Sequence, residues 1–64
     1  MKMAQMIEKV LNTEGTPVFT VTADSGMSGV AIEVTGIWYS QNQLTQLTDA
    51  VQRARDFLTS EGVI

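Results

Sequence analysis

The sequence predicts a small α+β domain with the element order α-β-β-α, in which an antiparallel β-hairpin carries helices on one face. Three observations indicate this class: an N-terminal apolar stripe of helical period, two apolar runs of period two around a turn, and a C-terminal segment with signals for both helix ends. At 64 residues, the chain is expected to form one domain, residues 1–64.

A first helix is predicted over residues 2–13. Its apolar side chains recur at spacings of three and four and would form one stripe, namely Met3, Met6, Ile7, Val10 and Leu11. Gly15 and Pro17 come soon afterwards, and these residue types commonly end helices. A helix of about three turns is marginal alone, so we expect it to pack on the sheet.

Two strands are predicted at residues 17–23 and 29–38, because apolar and polar side chains alternate there and β-branched residues are frequent. Residues 24–28 have the composition of a hairpin turn. Gly36, inside the second strand, is expected to mark a bulge or a close backbone approach. The alternation assigns Trp38 to the core face of that strand, which also carries Val30, Ile32 and Val34.

A second helix is predicted over residues 41–61. Ser40 and Gln43 have the spacing of a capping box, and Tyr39 before the cap is placed for a hydrophobic staple. Gly62 is placed to end the helix in a Schellman motif. The start, the apolar face and the end of this helix therefore agree.

The predicted fold favours self-association. A chain of this size buries only about 60% of the surface that its unfolded form exposes, and small domains usually need a further source of stability. The chain has no cysteine, so disulfides cannot supply it. A two-stranded sheet is marginal and has two open edges. We therefore expect a homo-oligomer, a dimer or higher, formed through the sheet or through spare helix surface.

The residue types exclude most catalytic chemistry. Without cysteine or histidine the chain lacks thiol and imidazole groups for nucleophilic catalysis or metal binding. Asp49 and Asp56 could share a helix face, but Arg53 lies between them and indicates an ion-pair ladder. We expect no catalytic residues, no metal site, no cofactor and no enzymatic activity.

The charge balance limits the kinds of molecule that the chain is expected to bind. Four basic and seven acidic side chains leave a net charge of −3, which disfavours binding to nucleic acids and to anionic membranes. No apolar run has the length of a signal peptide or a membrane span. Together with the absence of cysteine, this favours the cytoplasm.

Two surfaces are candidates for contact with a partner. Met27 lies among glycines and serines in the predicted hairpin turn, where an adaptable apolar side chain suits partner binding. The other is the face of the hairpin that carries Thr20, Thr22, Thr35 and Ile37. This face is either a weakly charged contact patch or an ordinary solvated sheet face.

Trp38 and Tyr39 allow a further alternative. Their rings could stack on a base or another planar ligand, although the core face and the helix staple already account for both.

These features predict a non-enzymatic, homo-oligomeric interaction protein that binds another macromolecule, a protein rather than a nucleic acid. Small acidic regulators and inhibitors from phages and mobile elements are an analogy in size and composition. The alternative is a module that binds or sequesters a nucleotide-type small molecule between protomers.

Overall fold

Three antiparallel strands followed by one helix make up the fold in the computed structural model, which describes residues 4–63. The elements are β1 (Gln5–Leu11), β2 (Pro17–Asp24), β3 (Ala31–Val34) and α1 (Gln41–Ser60). β2 lies in the middle of the sheet, so β1 and β3 form its two edges. The α+β class is confirmed, but the order of elements is β-β-β-α.

The N-terminal segment is the main correction. The prediction of a helix over residues 2–13 is wrong, because Gln5–Leu11 of this segment form β1, which pairs along its whole length with β2. Met3, which the predicted helical stripe included, lies outside the described residues.

The apolar residues of β1 suit a strand as well as a helix. Met6 and Val10 lie on the sheet face that α1 covers, whereas Ile7 and Leu11 lie on the opposite, open face. A helix of this length is marginal by itself, while a third strand converts a weak hairpin into a sheet that can stand alone. Pairing with β2 therefore overrides the helical period.

The turn from β1 to β2 is closed by a side chain. The Oδ1 atom of Asn12 accepts hydrogen bonds from the backbone N–H groups of Glu14 and Thr16, both at 2.9 Å. Gly15 has a φ of 85°, a conformation that glycine adopts without strain. Gly15, which was predicted to end a helix, instead forms a hairpin turn together with Asn12.

β3 is shorter than predicted. The strand expected over residues 29–38 ends at Val34, although the N–H of Thr35 still donates to the carbonyl of Val18 at 2.9 Å. Gly36 follows with a φ of 98° and carries the chain away from the sheet. It therefore lies beyond the strand rather than in a bulge within it.

The limits predicted for the C-terminal helix are confirmed almost to the residue, since α1 starts at Gln41 and stops at Ser60. Both hydrogen bonds of the capping box are present between Ser40 and Gln43. At the other end, the N–H of Gly62 donates to Thr59 and the N–H of Val63 to Leu58, the two bonds of a Schellman motif.

The core lies between α1 and two of the three strands. Among the described residues, α1 contacts β1 and β2 but not β3. Of the seven buried apolar side chains in the described part of the chain, three are alanines, which bring the helix close to the sheet but contribute little volume. The seven are Val10, Phe19, Val21, Ala23, Ala50, Ala54 and Leu58.

An ion pair ties α1 to β1. Both Glu8 carboxylate oxygens accept hydrogen bonds from the Arg53 guanidinium, with 2.6 Å between Arg53 Nε and Glu8 Oε2. This hydrogen bond lowers the pKa of Glu8 below its ordinary value of 4.5. Because the group is more acidic when folded, its contribution to stability is complete above the unfolded pKa and disappears as the pH falls through the folded pKa.

The variant Glu8→Gln is therefore expected to melt slightly below the wild type at pH 7, with a difference that shrinks below about pH 4.5. Thermal melts of both proteins between pH 7 and pH 3 measure this difference. Arg53→Gln removes the same pair and should follow the same pH profile. A difference that does not change with pH would show that the Glu8 charge contributes nothing.

Candidate interaction surface

β3 is the least protected element of the sheet. All four of its residues are exposed, including Ile32 and Val34, which remain 45% and 55% accessible. These two side chains lie on the sheet face that α1 covers elsewhere, because they pair with the buried Val21 and Phe19 on β2. Because α1 lies over β1 and β2 and does not contact β3, part of the apolar sheet face is uncovered.

The flank of α1 next to this bare strip carries apolar side chains together with Arg55. Arg53 reaches toward β1 to bind Glu8. Leu44 precedes Arg53 by nine residues, or two and a half turns of about 3.6 residues, and so faces the β3 side. Leu44 is exposed, and Val51, on the same flank, is half-buried. We call the strip formed by Ile32, Val34, Leu44 and Val51 the β3 groove.

The backbone of β3 also has free edge positions. Thr35 donates to Val18 and therefore occupies a hydrogen-bonded pair of the β2–β3 ladder. Such pairs alternate along an antiparallel ladder, so Glu33 is also bonded to β2. The N–H and C=O groups of Ile32 and Val34 consequently point away from β2, toward the open edge.

The opposite edge, on β1, differs in each of these respects. It carries Lys9 and the paired Glu8, and its register shifts between Val10 and Leu11. Charged side chains, lysine above all, and bulges are the usual devices that prevent an edge strand from pairing with another chain. β3 has one charge, Glu33, and no proline or register irregularity.

The open face of the sheet contains part of the predicted threonine surface. Thr20 and Thr22 are half-buried on the central strand and face away from α1. Lys9 and Glu33 flank Thr20 on the neighbouring strands, so opposite charges lie on either side of it. Other members of this face are apolar: Ile7, Leu11, Val18 and Ala31.

The remaining predicted contacts lie apart from this face. Thr35 is exposed just after β3, and Ile37 is fully exposed in the connection to α1, so it does not share the strand face as predicted. Met27 lies in the β2–β3 connection, where its N–H donates to the carbonyl of Asp24, and its side chain is half-buried. The structure thus brings Thr20 and Thr22 together but not all five predicted residues.

Trp38 and Tyr39 have different environments. Assigning Trp38 to the core is wrong, because the side chain is 77% exposed in the connection that follows β3. Tyr39 packs on Phe19 with 4.5 Å between ring centroids. Its hydroxyl donates to the carbonyl oxygens of Gly36 at 2.6 Å and Thr35 at 3.1 Å. Tyr39 is therefore structural, and its ring is not free to stack on a ligand.

A shallow cavity of about 340 Å³ lies beside Trp38 at one end of the sheet. Its polar lining includes Asn12 from the first turn and Gln43 from the start of α1, and no lining residue is charged. The full lining is Asn12, Thr13, Val18, Thr35, Gly36, Trp38, Ser40 and Gln43.

The described residues contain no other chemically distinctive cluster. No group of three Asp or Glu side chains in residues 4–63 comes together as a metal ion would require. Across the same residues, no helix combines the length and the apolar character needed to cross a membrane.

Sequence reasoning misses the β3 groove because it places Ile32 and Val34 beneath a first helix. With that segment in the sheet, the chain has one helix for three strands, and nothing in the described residues covers β3. The Asn12–Gly15 turn signal could have revealed this, since it identifies a hairpin where a helix end was predicted.

Comparison of the chain with protein-family models, curated proteins and solved structures finds no match.

Proposed function

We propose that this is a non-enzymatic interaction protein that self-associates and binds another macromolecule in the cytoplasm. The observation that carries this proposal is β3, an edge strand exposed on both faces and adjoining bare apolar side chains. Unprotected edges of this kind readily pair with a further strand, and exposed apolar patches commonly mark protein contacts.

The small core supports self-association. Within residues 4–63, the seven buried apolar residues include three alanines, whereas seven large apolar side chains are exposed: Ile7, Leu11, Ile32, Val34, Ile37, Trp38 and Leu44. Burying one such side chain contributes about 1.5–3 kcal/mol. The free energy of unfolding of a domain is modest, about 0.1 kcal/mol per residue. A second chain that covers several of these side chains therefore adds stability comparable to that of the whole domain.

Two isoleucines on the two edges test the proposal. Ile32→Lys on β3 is expected to raise the dissociation constant for self-association at least about 100-fold, because two lysines enter the interface and each 1.4 kcal/mol is a factor of ten. Ile7→Lys on β1 replaces an isoleucine of similar exposure, 53%, and should leave association unchanged. Sedimentation equilibrium over a concentration series measures both constants.

A wild-type chain that stays monomeric up to about 100 μM, a concentration at which even weak complexes form, would refute self-association. An equal effect of both lysines would refute the assignment to β3. Circular dichroism of each variant confirms that the fold is intact before the constants are compared.

The contact with another macromolecule is proposed for the open face of the sheet and the neighbouring turn. Thr20 and Thr22 present hydroxyl groups on this face, Thr35 is exposed just beyond β3, and Met27 supplies an adaptable apolar side chain. With the partner isolated by affinity purification, Met27→Glu should weaken its binding without lowering the melting temperature. Unchanged binding would remove Met27 from the contact.

A second candidate function rests on the cavity beside Trp38. Its uncharged lining suits a planar base more than a phosphate, with Trp38 as the stacking surface and the side-chain NH2 group of Asn12 or Gln43 as a hydrogen-bond donor. A nucleoside or nucleotide that binds there should raise the melting temperature saturably, and Trp38→Ala should abolish the shift. No shift across nucleosides, mononucleotides and dinucleotides would exclude this function.

A further inference from the structure

We infer that β3 pairs antiparallel with β3 of a second copy about a two-fold axis centred on Ile32, forming one six-stranded sheet with both helices on the same face. This inference rests on the proposed self-association and specifies its geometry. The partner is a second copy because the edge, the groove and the charge pattern described below are complementary to themselves.

The free backbone positions determine which pairings are possible. Ile32 and Val34 direct their N–H and C=O groups toward the open edge. A two-fold axis at Ile32 places it opposite the partner's Ile32, where the two residues exchange both backbone hydrogen bonds. Val34 then lies opposite the partner's Val30, so every backbone hydrogen bond between the two copies uses groups that point away from β2.

Charge distinguishes this register from the one centred on Glu33. A two-fold axis at Glu33 also allows the outward-pointing backbone groups of Ile32 and Val34 to form hydrogen bonds with the second copy. However, it brings two glutamates directly opposite each other on neighbouring strands, which is destabilising. The axis at Ile32 instead places Glu33 opposite the partner's Ala31. The only charged residue of β3 is thereby separated from its symmetry mate.

The same axis closes the β3 groove. A two-fold perpendicular to the sheet keeps both helices on one side, so the bare strips of the two copies become one trough between the helices. Ile32, Val34 and Leu44 of each copy line this trough. A standard interface needs about 800 Å² from each partner. This is a little over one sixth of the 4546 Å² of accessible surface of the chain.

The pairing also limits the assembly to two copies. An isologous contact uses the β3 edge of both chains and leaves only the two β1 edges at the ends of the new sheet. Lys9, the paired Glu8 and the register shift at Val10 protect those edges. A closed dimer is therefore expected rather than an extending fibre.

Single cysteines test the register, because the chain contains none of its own. In the inferred dimer, the Cα atoms of Ile32 and the partner's Ile32 are about 5.5 Å apart, within the range that a disulfide spans. The two copies of Val34 are offset by about 13 Å along the strands. Ile32→Cys should therefore form disulfide-linked dimers at least about tenfold faster than Val34→Cys under mild oxidation.

Two further variants complete the experiment. Glu33→Cys reports the rival register, in which its Cα atoms would be about 4.5 Å apart. Ile7→Cys reports pairing through β1. Oxidation is followed on non-reducing gels, and the wild-type association is measured separately by sedimentation equilibrium at the same concentrations.

Preferential crosslinking of Ile32→Cys in a chain that sediments as a dimer supports the inferred geometry. A dimer in which Glu33→Cys or Ile7→Cys reacts fastest, or in which all four variants react alike, overturns the pairing at Ile32 and leaves self-association intact. A wild-type monomer overturns both.

Discussion

Phe19→Ala is expected to lower the free energy of unfolding by about 3–5 kcal/mol, the usual cost of removing a buried phenylalanine ring. Phe19 is buried on the central strand, pairs with Val10 on β1 and Val34 on β3, and packs on Tyr39. At about 0.05–0.15 kcal/mol per residue, the whole domain has a stability of roughly 3–10 kcal/mol. The variant should therefore lose a large share of the stability of the domain.

Urea denaturation followed by circular dichroism at the helical band measures this loss. Tyr39→Phe is the matched control, since it keeps the second ring and removes only the hydroxyl that binds Thr35 and Gly36. That control should lose only about 0.5–1.5 kcal/mol, the net contribution of a hydrogen bond. Equal losses for the two variants would contradict the central position of Phe19.

Leu58→Ala should lower the free energy of unfolding by about 2–5 kcal/mol, because it leaves a cavity in the core. Leu58 is one of the two largest fully buried side chains and lies with Val21 and Ala23 in the core cluster. The nearby core residues Ala50 and Ala54 are themselves small, so they cannot expand to fill the space.

Leu44→Ala makes the same chemical change fourteen residues earlier on α1, at an exposed position. Its loss in the monomer should stay below about 1 kcal/mol, as is usual for exposed sites. A larger effect of Leu44→Ala at high protein concentration would come from the β3 groove and should vanish on dilution. A Leu58→Ala variant as stable as Leu44→Ala would contradict the core described for this fold.

The parts of the fold that could be predicted are those governed by local chemistry. The α1 boundaries follow from the Ser40 and Gln43 capping box and from Gly62, whose effects act within a few residues along the chain. β2 and the start of its partner strand follow from alternation and β-branched residues. In each case the signal lies inside the element that it specifies.

The candidate site was less predictable because it depends on what covers β3. The alternation correctly places Ile32 and Val34 on the same face as the core of β2. Their exposure, however, depends on the number of helices above that face. Trp38 illustrates the same limit, since its place on the core face required a strand that in fact ends at Val34.

By itself, the sequence determined the α+β class, the capped C-terminal helix, the hairpin of β2 and β3, and the absence of cysteine and histidine chemistry. Only the tertiary structure decided that the N-terminal segment is β1, and hence that β3 is bare. The physical reason is that the apolar side chains of this segment fit both the helical period of 3.6 residues and the strand period of two. These side chains are Met6, Ile7, Val10 and Leu11. The strand forms because its backbone hydrogen-bonds to β2, whose residues are up to about twenty positions away in the chain. A local sequence pattern does not reveal these hydrogen bonds.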